Sequence, residues 1–202
     1  MIIGIDFDNT IVSYDAIFYK MAREGGLIPD TAGAGKEQIR NFLRQAGRED
    51  DWTRLQGLVY GEGIKACPAF PGVMDFLRAC RAKSFKTLII SHKTLHPILG
   101  PALDLHGAAR GWLRDNGFYE TQDTGIAPGD ANFLPTKREK LELIAGSRCD
   151  FFIDDLPEFL GEPGFPAGTK KILFDPNNSG RQDAGYIKAN SWEQIGTIIF
   201  GS

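Results

Sequence analysis

Ile2-Ile3-Gly4-Ile5-Asp6-Phe7-Asp8-Asn9-Thr10 is an apolar run that stops at two carboxylates spaced i, i+2. A run rich in β-branched residues, with no polar alternation, reads as a strand buried on both faces. Aspartates two positions apart just beyond such a strand can converge on one point. Two like charges gathered there are costly unless a cation or a functional demand offsets them. Taken alone, Asp8-Asn9-Thr10 also fits a turn that caps a strand.

Three more apolar runs have the same character, at 87–90, 151–153 and 172–174, followed by Ser91, Asp154 and Asp175. Helical stripes lie between them: Val73, Phe76, Leu77 and Cys80 fall at i, i+3, i+4, i+7, as do Leu105, Ala108, Ala109 and Trp112. Strands alternating with amphipathic helices imply an α/β fold with a doubly wound parallel sheet, whose ligands sit beyond the carboxyl ends of the strands. Residues 14–66 contain no convincing strand and carry stripes at Phe18, Met21, Ala22, at Ile39, Phe42, Leu43, Ala46, and near Leu55, Leu58, Val59. They read as a small helical insert after the first strand, with the α/β core at 1–13 and 67–202. Ser191 and Gln194 make a capping-box pattern before a closing helix.

Composition narrows the function classes. At 202 residues, with 42% apolar and 24% charged side chains, the chain can bury a core and is not disordered. Its apolar runs are too short to span a membrane, and no signal peptide is visible. A net charge of -3 without a basic block argues against nucleic-acid binding. Cys67, Cys80 and Cys149 are far apart, which fits reduced thiols in the cytoplasm better than disulfides or zinc.

Four motifs in order resemble the haloacid dehalogenase-like (HAD) hydrolase superfamily, most of whose members are phosphatases. Asp6-Phe7-Asp8-Asn9-Thr10 matches its DxDx[TV] signature, Ser91 its strand-end hydroxyl, Lys137 or Lys140 its lysine, and Asp154-Asp155 its acidic motif. The resemblance implies a Rossmann-like core with a small helical cap and a Mg²⁺ cofactor. Asp6 becomes the nucleophile and a metal ligand, and the Asp8 backbone carbonyl a second ligand. The Asp8 side chain becomes the acid and base, a role often worth about 10²–10⁴-fold. Ser91 and the lysine bind the phosphoryl group with Asn9, Thr10 and His92. The substrate is then a small phosphorylated molecule, cleaved through an aspartyl-phosphate.

Some choices stay open at this level. Thr136 and Glu139 form a capping box, and a stripe of Leu141, Ile144 and Ala145 turns Lys137 inward, which favours it over Lys140. Adjacent residues of an extended chain point opposite ways, so Asp154 and Asp155 do not both reach a metal directly. By resemblance Asp155 is preferred, although Asp154 with Glu158 fits another variant of the motif. A deoxyribonucleotidase-like 5'-nucleotidase and a sugar phosphomutase share these motifs, and a silent phosphate-binding regulatory module is the rival from another class. Ala32-Gly33-Ala34-Gly35-Lys36-Glu37 lacks the first glycine and the final hydroxyl of a phosphate loop and is rejected as one. His92 and Lys93 follow Ser91 and are read as contacts to substrate or solvent.

Overall fold

A computed structural model describes residues 1–30, 33, 35–178 and 185–201. Ala32 and Ala34 of the rejected phosphate-loop pattern lie outside the described residues. The strands are β1 (Ile2–Ile5), β2 (Lys86–His92), β3 (Ala131–Leu134), β4 (Phe151–Asp154), β5 (Lys170–Phe174) and β6 (Ile187–Ala189). The helices are α1 (Asp15–Glu24), α2 (Lys36–Gln45), α3 (Glu49–Gly61), α4 (Val73–Ala82), α5 (Leu105–Asp115), α6 (Thr121–Thr124), α7 (Lys137–Gly146), α8 (Pro157–Leu160) and α9 (Trp192–Phe200). They divide between two compact units, Met1–Val12 with Ala69–Lys93 and Asn116–Ser202, and Ser13–Pro68 with Thr94–Asp115.

The first unit holds one parallel sheet in the order β3-β2-β1-β4-β5-β6. Its strand order reverses between β1 and β4, and such a switch point opens a crevice at the strands' carboxyl ends. The four expected strands are present, and β3 and β6 are two that the apolar runs do not announce. Both lie at sheet edges, where a strand needs no continuous apolar run. At the β6 edge, Lys188 pairs with Asp175 at 2.9 Å. Val73, Phe76, Leu77 and Cys80 of α4 are buried as their spacing requires. The expected helix starts also hold: Thr136 Oγ1 accepts from Glu139 N at 3.1 Å, and Ser191 Oγ accepts from Gln194 N at 3.2 Å.

Register sets the positions of the acids. Ile5 pairs with Ile153 on one side and Ile89 on the other, so Asp6 leaves β1 level with the last residue of β4. Gly4, opposite Phe152, is required by close approach: a Cβ there would stand 2.5 Å from the Phe152 ring and 3.1 Å from Cys149 Sγ. That ring belongs to a core cluster with Ile90, Ile144, Phe159, Leu160 and Leu173.

The second unit is helical, built from α1, α2, α3, a 3₁₀ turn at Gly63–Ala66, and α5. Phe18, Ile39, Leu43, Trp52, Leu55 and Val59 are buried in it, while Phe42 and Ala46 turn outward. The sequence reading gives this insert residues 14–66 alone, whereas the compact unit also takes in 94–115. Apolar spacing in α5 announces a buried face without naming what covers it. In the structure Trp112 Nε1 donates to the Cys67 carbonyl at 2.8 Å, and Gly61 of α3 admits Leu103, whose side chain a Cβ would meet at 2.5 Å. Among the described residues no helix is long and apolar enough to cross a membrane.

Gly4→Ala forces the Phe152 ring aside, and overpacking of this kind costs about 1–3 kcal/mol. Urea unfolding is expected to show a lower midpoint at an unchanged slope. An unmoved midpoint contradicts the packing described.

Candidate active site

Asp6 follows β1 and is 5% exposed, with its backbone N–H donating to the Ile153 carbonyl at 2.8 Å. Lys140 reaches it from α7: its Nζ donates to Asp6 Oδ1 at 2.6 Å and to Asp154 Oδ2 at 2.6 Å. Asp154 is fully buried, and its other oxygen accepts from Leu156 N at 2.9 Å. The ring of Phe159 lies 4.1 Å from the ammonium and that of Phe152 lies 5.3 Å from it. Burial opposes the charge on Lys140, but Asp154 and Asp6 outweigh it and hold the ammonium above the usual lysine range. For Asp6 burial is the stronger influence. It pushes the carboxyl from 3.8 up to about 7 against the pull of Lys140, while Asp154 and Asp8 add repulsion.

Beyond Asp6 the chain turns sharply. Ile11 N and Val12 N both donate to the Phe7 carbonyl, at 3.0 and 3.1 Å, and Asn9 adopts φ +57°. Asparagine tolerates that left-handed conformation because its short side chain bonds locally. The turn carries Asp8 to Lys93, whose Nζ lies 3.0 Å from Oδ1 and 2.8 Å from Oδ2. Thr10 is buried, with its carbonyl accepting from Trp192 Nε1 at 3.3 Å.

Ser91 and Lys93 are buried and His92 between them is exposed, the two-residue alternation of an extended chain. The His92 Nε2 lies 3.1 Å from the Pro135 carbonyl and so carries the proton in that contact. Partial burial of the ring nonetheless lowers its affinity for a second proton. Its ring thus binds backbone rather than a carboxylate of the cluster. Alternation from Ser91 is the sequence signal that places Lys93 on the same face as the hydroxyl.

The expectation for Lys137 is corrected. It is exposed at the start of α7, 3.6 Å from Glu162, whereas Lys140 is buried against Asp6. The inward face of α7 runs through Lys140 and Ile144, with Leu141 and Leu143 half-buried. Ala145 is exposed, so counting it as apolar stripe rotates the deduced face away from Lys140.

Asp6, Asp154 and Asp155 each offer a carboxylate oxygen, and these oxygens lie within 4.8 Å of one another. The expected divergence of Asp154 and Asp155 is thus corrected: β4 ends at Asp154, and strict alternation does not extend to Asp155. Glu158 is exposed and is not one of that group. With Asp8 there are four acids set against Lys93 and Lys140, leaving two negative charges when all are ionised. Hard oxygen donors with that residual charge fit a divalent cation such as Mg²⁺.

No family model matches the sequence, and no curated protein does. Solved structures resemble it in fold. The HAD hydrolase YfnB of Bacillus subtilis, in a structure bound to magnesium, is 16% identical with a TM-score of 0.59, covering 98% of this chain and 97% of its own. A predicted phosphoglycolate phosphatase from Haemophilus somnus is 17% identical with a TM-score of 0.56, over 98% and 96%. A HAD family hydrolase from Deinococcus radiodurans, with bound phosphate and sodium, is 15% identical with a TM-score of 0.52, over 98% and 93%. The chain therefore has the fold of the HAD hydrolases.

Two outcomes test this site. Lys140→Met leaves two buried carboxylates without their cation and is expected to cost about 3–5 kcal/mol. Lys137→Met is expected to change stability by no more than about 0.5 kcal/mol. Urea unfolding of both variants checks the pair, and equal losses contradict the placement. Asp6 titrates near 3.8 when unfolded and near 7 when folded, so the folded state holds the extra proton in between. The stability this gives is present below the unfolded value and is lost as pH rises through the folded one. Without metal, Asp6→Asn should therefore gain on the wild type between melts at about pH 5 and about pH 8. Parallel behaviour of the two proteins refutes the shift.

Proposed function

We propose that this chain is a Mg²⁺-dependent phosphomonoester hydrolase that forms an aspartyl-phosphate on Asp6 and acts on a small phosphorylated substrate. The observation that carries this reading is the buried carboxylate of Asp6, paired with Lys140 and standing among further acids at a switch point of a parallel sheet. Asp6, Asp154 and Asp155 would hold the cation, with the Asp8 backbone carbonyl as the resemblance implies. Once bound, the ion neutralises charge between nucleophile and phosphoryl oxygens.

The remaining steps belong to the chain's own groups. An Asp6 oxygen attacks phosphorus as the bond to the ester oxygen breaks, and the Asp8 carboxyl gives that oxygen its proton. Asp8, now ionised, takes a proton from water as the water oxygen attacks phosphorus. Inorganic phosphate leaves and Asp6 is restored. Ser91 donates its hydroxyl to a phosphoryl oxygen, and Asn9 and Thr10 of the turn bind the same group. Lys140 holds Asp6 in place and offsets the incoming negative charge. Positioning and charge stabilisation of this kind dominate phosphoryl transfer. Buried cysteine thiols fit a reducing compartment such as the cytoplasm.

A panel of sugar phosphates, nucleoside monophosphates and other phosphorylated metabolites tests the reading through phosphate release. Turnover is expected with Mg²⁺, is lost in EDTA, and falls below detection in Asp6→Asn. Absence of release from every member of the panel with Mg²⁺ present overturns it. Rearranged sugar phosphates in place of free phosphate would mark a mutase.

A further inference from the structure

Lys93 is 4% exposed, and its ammonium stands at hydrogen-bond distance from both oxygens of Asp8. Its own backbone is fixed, because Lys93 N donates to the Leu134 carbonyl at 2.8 Å. The ammonium also lies 5.8 Å from the centre of the Phe7 ring, which packs edge-on against Phe133 at 5.3 Å. A buried lysine so placed has little freedom to swing away. Contact with both oxygens fixes the rotation of the Asp8 side chain as well as its direction. Ion pairs of this kind add little net stability, since desolvation offsets their attraction. Stability alone does not account for it.

We propose that Lys93 is a positioning residue for Asp8, holding that carboxyl where it meets the oxygen of the departing group. The inference rests on the phosphatase reading above and assigns Lys93 no contact with substrate. Asp8 has two rotatable side-chain bonds, and the proton it transfers must be presented within hydrogen-bond reach of one oxygen. Lys140 holds Asp6, and Lys93 holds Asp8, so each acid of the pair has its own buried lysine. While phosphorus moves to Asp6, a group acting through Asp8 matters only for substrates whose leaving oxygen needs a proton, and the later water step is common to all of them.

Lys93→Met is compared with wild type in the first turnover, with enzyme in excess, on an alkyl phosphate and on dinitrophenyl phosphate, whose leaving group departs unprotonated. For the alkyl ester the first-turnover rate of alcohol release is expected to fall about 10–100-fold with the half-saturating concentration little changed, since misplacing a catalytic group costs rate rather than binding. Dinitrophenolate release in that turnover should slow no more than about threefold, and Lys93→Arg should recover much of the alkyl-ester rate. Equal losses on the two esters overturn the proposal, because a phosphoryl-binding lysine slows both alike. So does the absence of any loss. If the single variant fails to fold, Asp8→Asn joined to Lys93→Met removes both charges and is compared with Asp8→Asn. Equal rates on the alkyl ester support the proposal, and a further drop overturns it. Wild type inactive on both esters defeats the phosphatase reading and this inference with it. Wild-type turnover alongside an unselective Lys93→Met defeats only the positioning role.

Discussion

The Lys140 ammonium touches Asp6 and Asp154 at 2.6 Å each in a place that water hardly reaches, and this contact governs the elements around it. Removing such charges from water costs several kcal/mol per ion unless geometry and hydrogen bonds compensate. The compensation comes from the fold. The β1–β4 register brings two carboxylates level, α7 delivers a lysine between them, and aromatic rings close the remaining sides. One lysine cannot neutralise two acids with a third beside them. The surplus negative charge suits a cation, and without one burial, helped by repulsion from Asp154 and Asp8, raises the Asp6 carboxyl.

A second constraint comes from β2. Extended chain alternates its side chains, so Ser91 and Lys93 share a face while His92 turns away to the Pro135 carbonyl. The hydroxyl and the second lysine thus come from one strand end, while the sharp turn at Asn9 brings Asp8 to meet the latter. Two acids only two residues apart in sequence end up in different electrostatic surroundings. Asp6 is shut in with Lys140 and Asp154, whereas Asp8 is partly open and held by Lys93. Different surroundings allow similar side chains to take different chemical parts.

Much of this is legible in the residues, and the gaps have physical reasons. Strands buried on both faces declare themselves as apolar runs, which is why β1, β2, β4 and β5 can be read directly. In β3 and β6 polar residues interrupt short runs at the sheet edge, and periodicity is silent there. The carboxylates at strand ends are readable because their cost demands a reason. The lysine is harder. A buried charge looks like surface to a hydrophobicity pattern, so Lys140 disappears from the stripe to which it belongs and Ala145 takes its place. Apolar spacing in α5 likewise reports a covered face and leaves the covering unit unstated.

The last strand of the sheet bears on how readily another chain could add to it. β6 is three residues long, and the ion pair between its Lys188 and Asp175 lies at that margin. The outermost strand of a parallel sheet presents amides and carbonyls that another chain could extend. A short strand offers few of them, and a second chain adding there must accommodate or displace a fixed charge. The same brevity that hides β6 from sequence patterns makes it a poor template for intermolecular sheet growth.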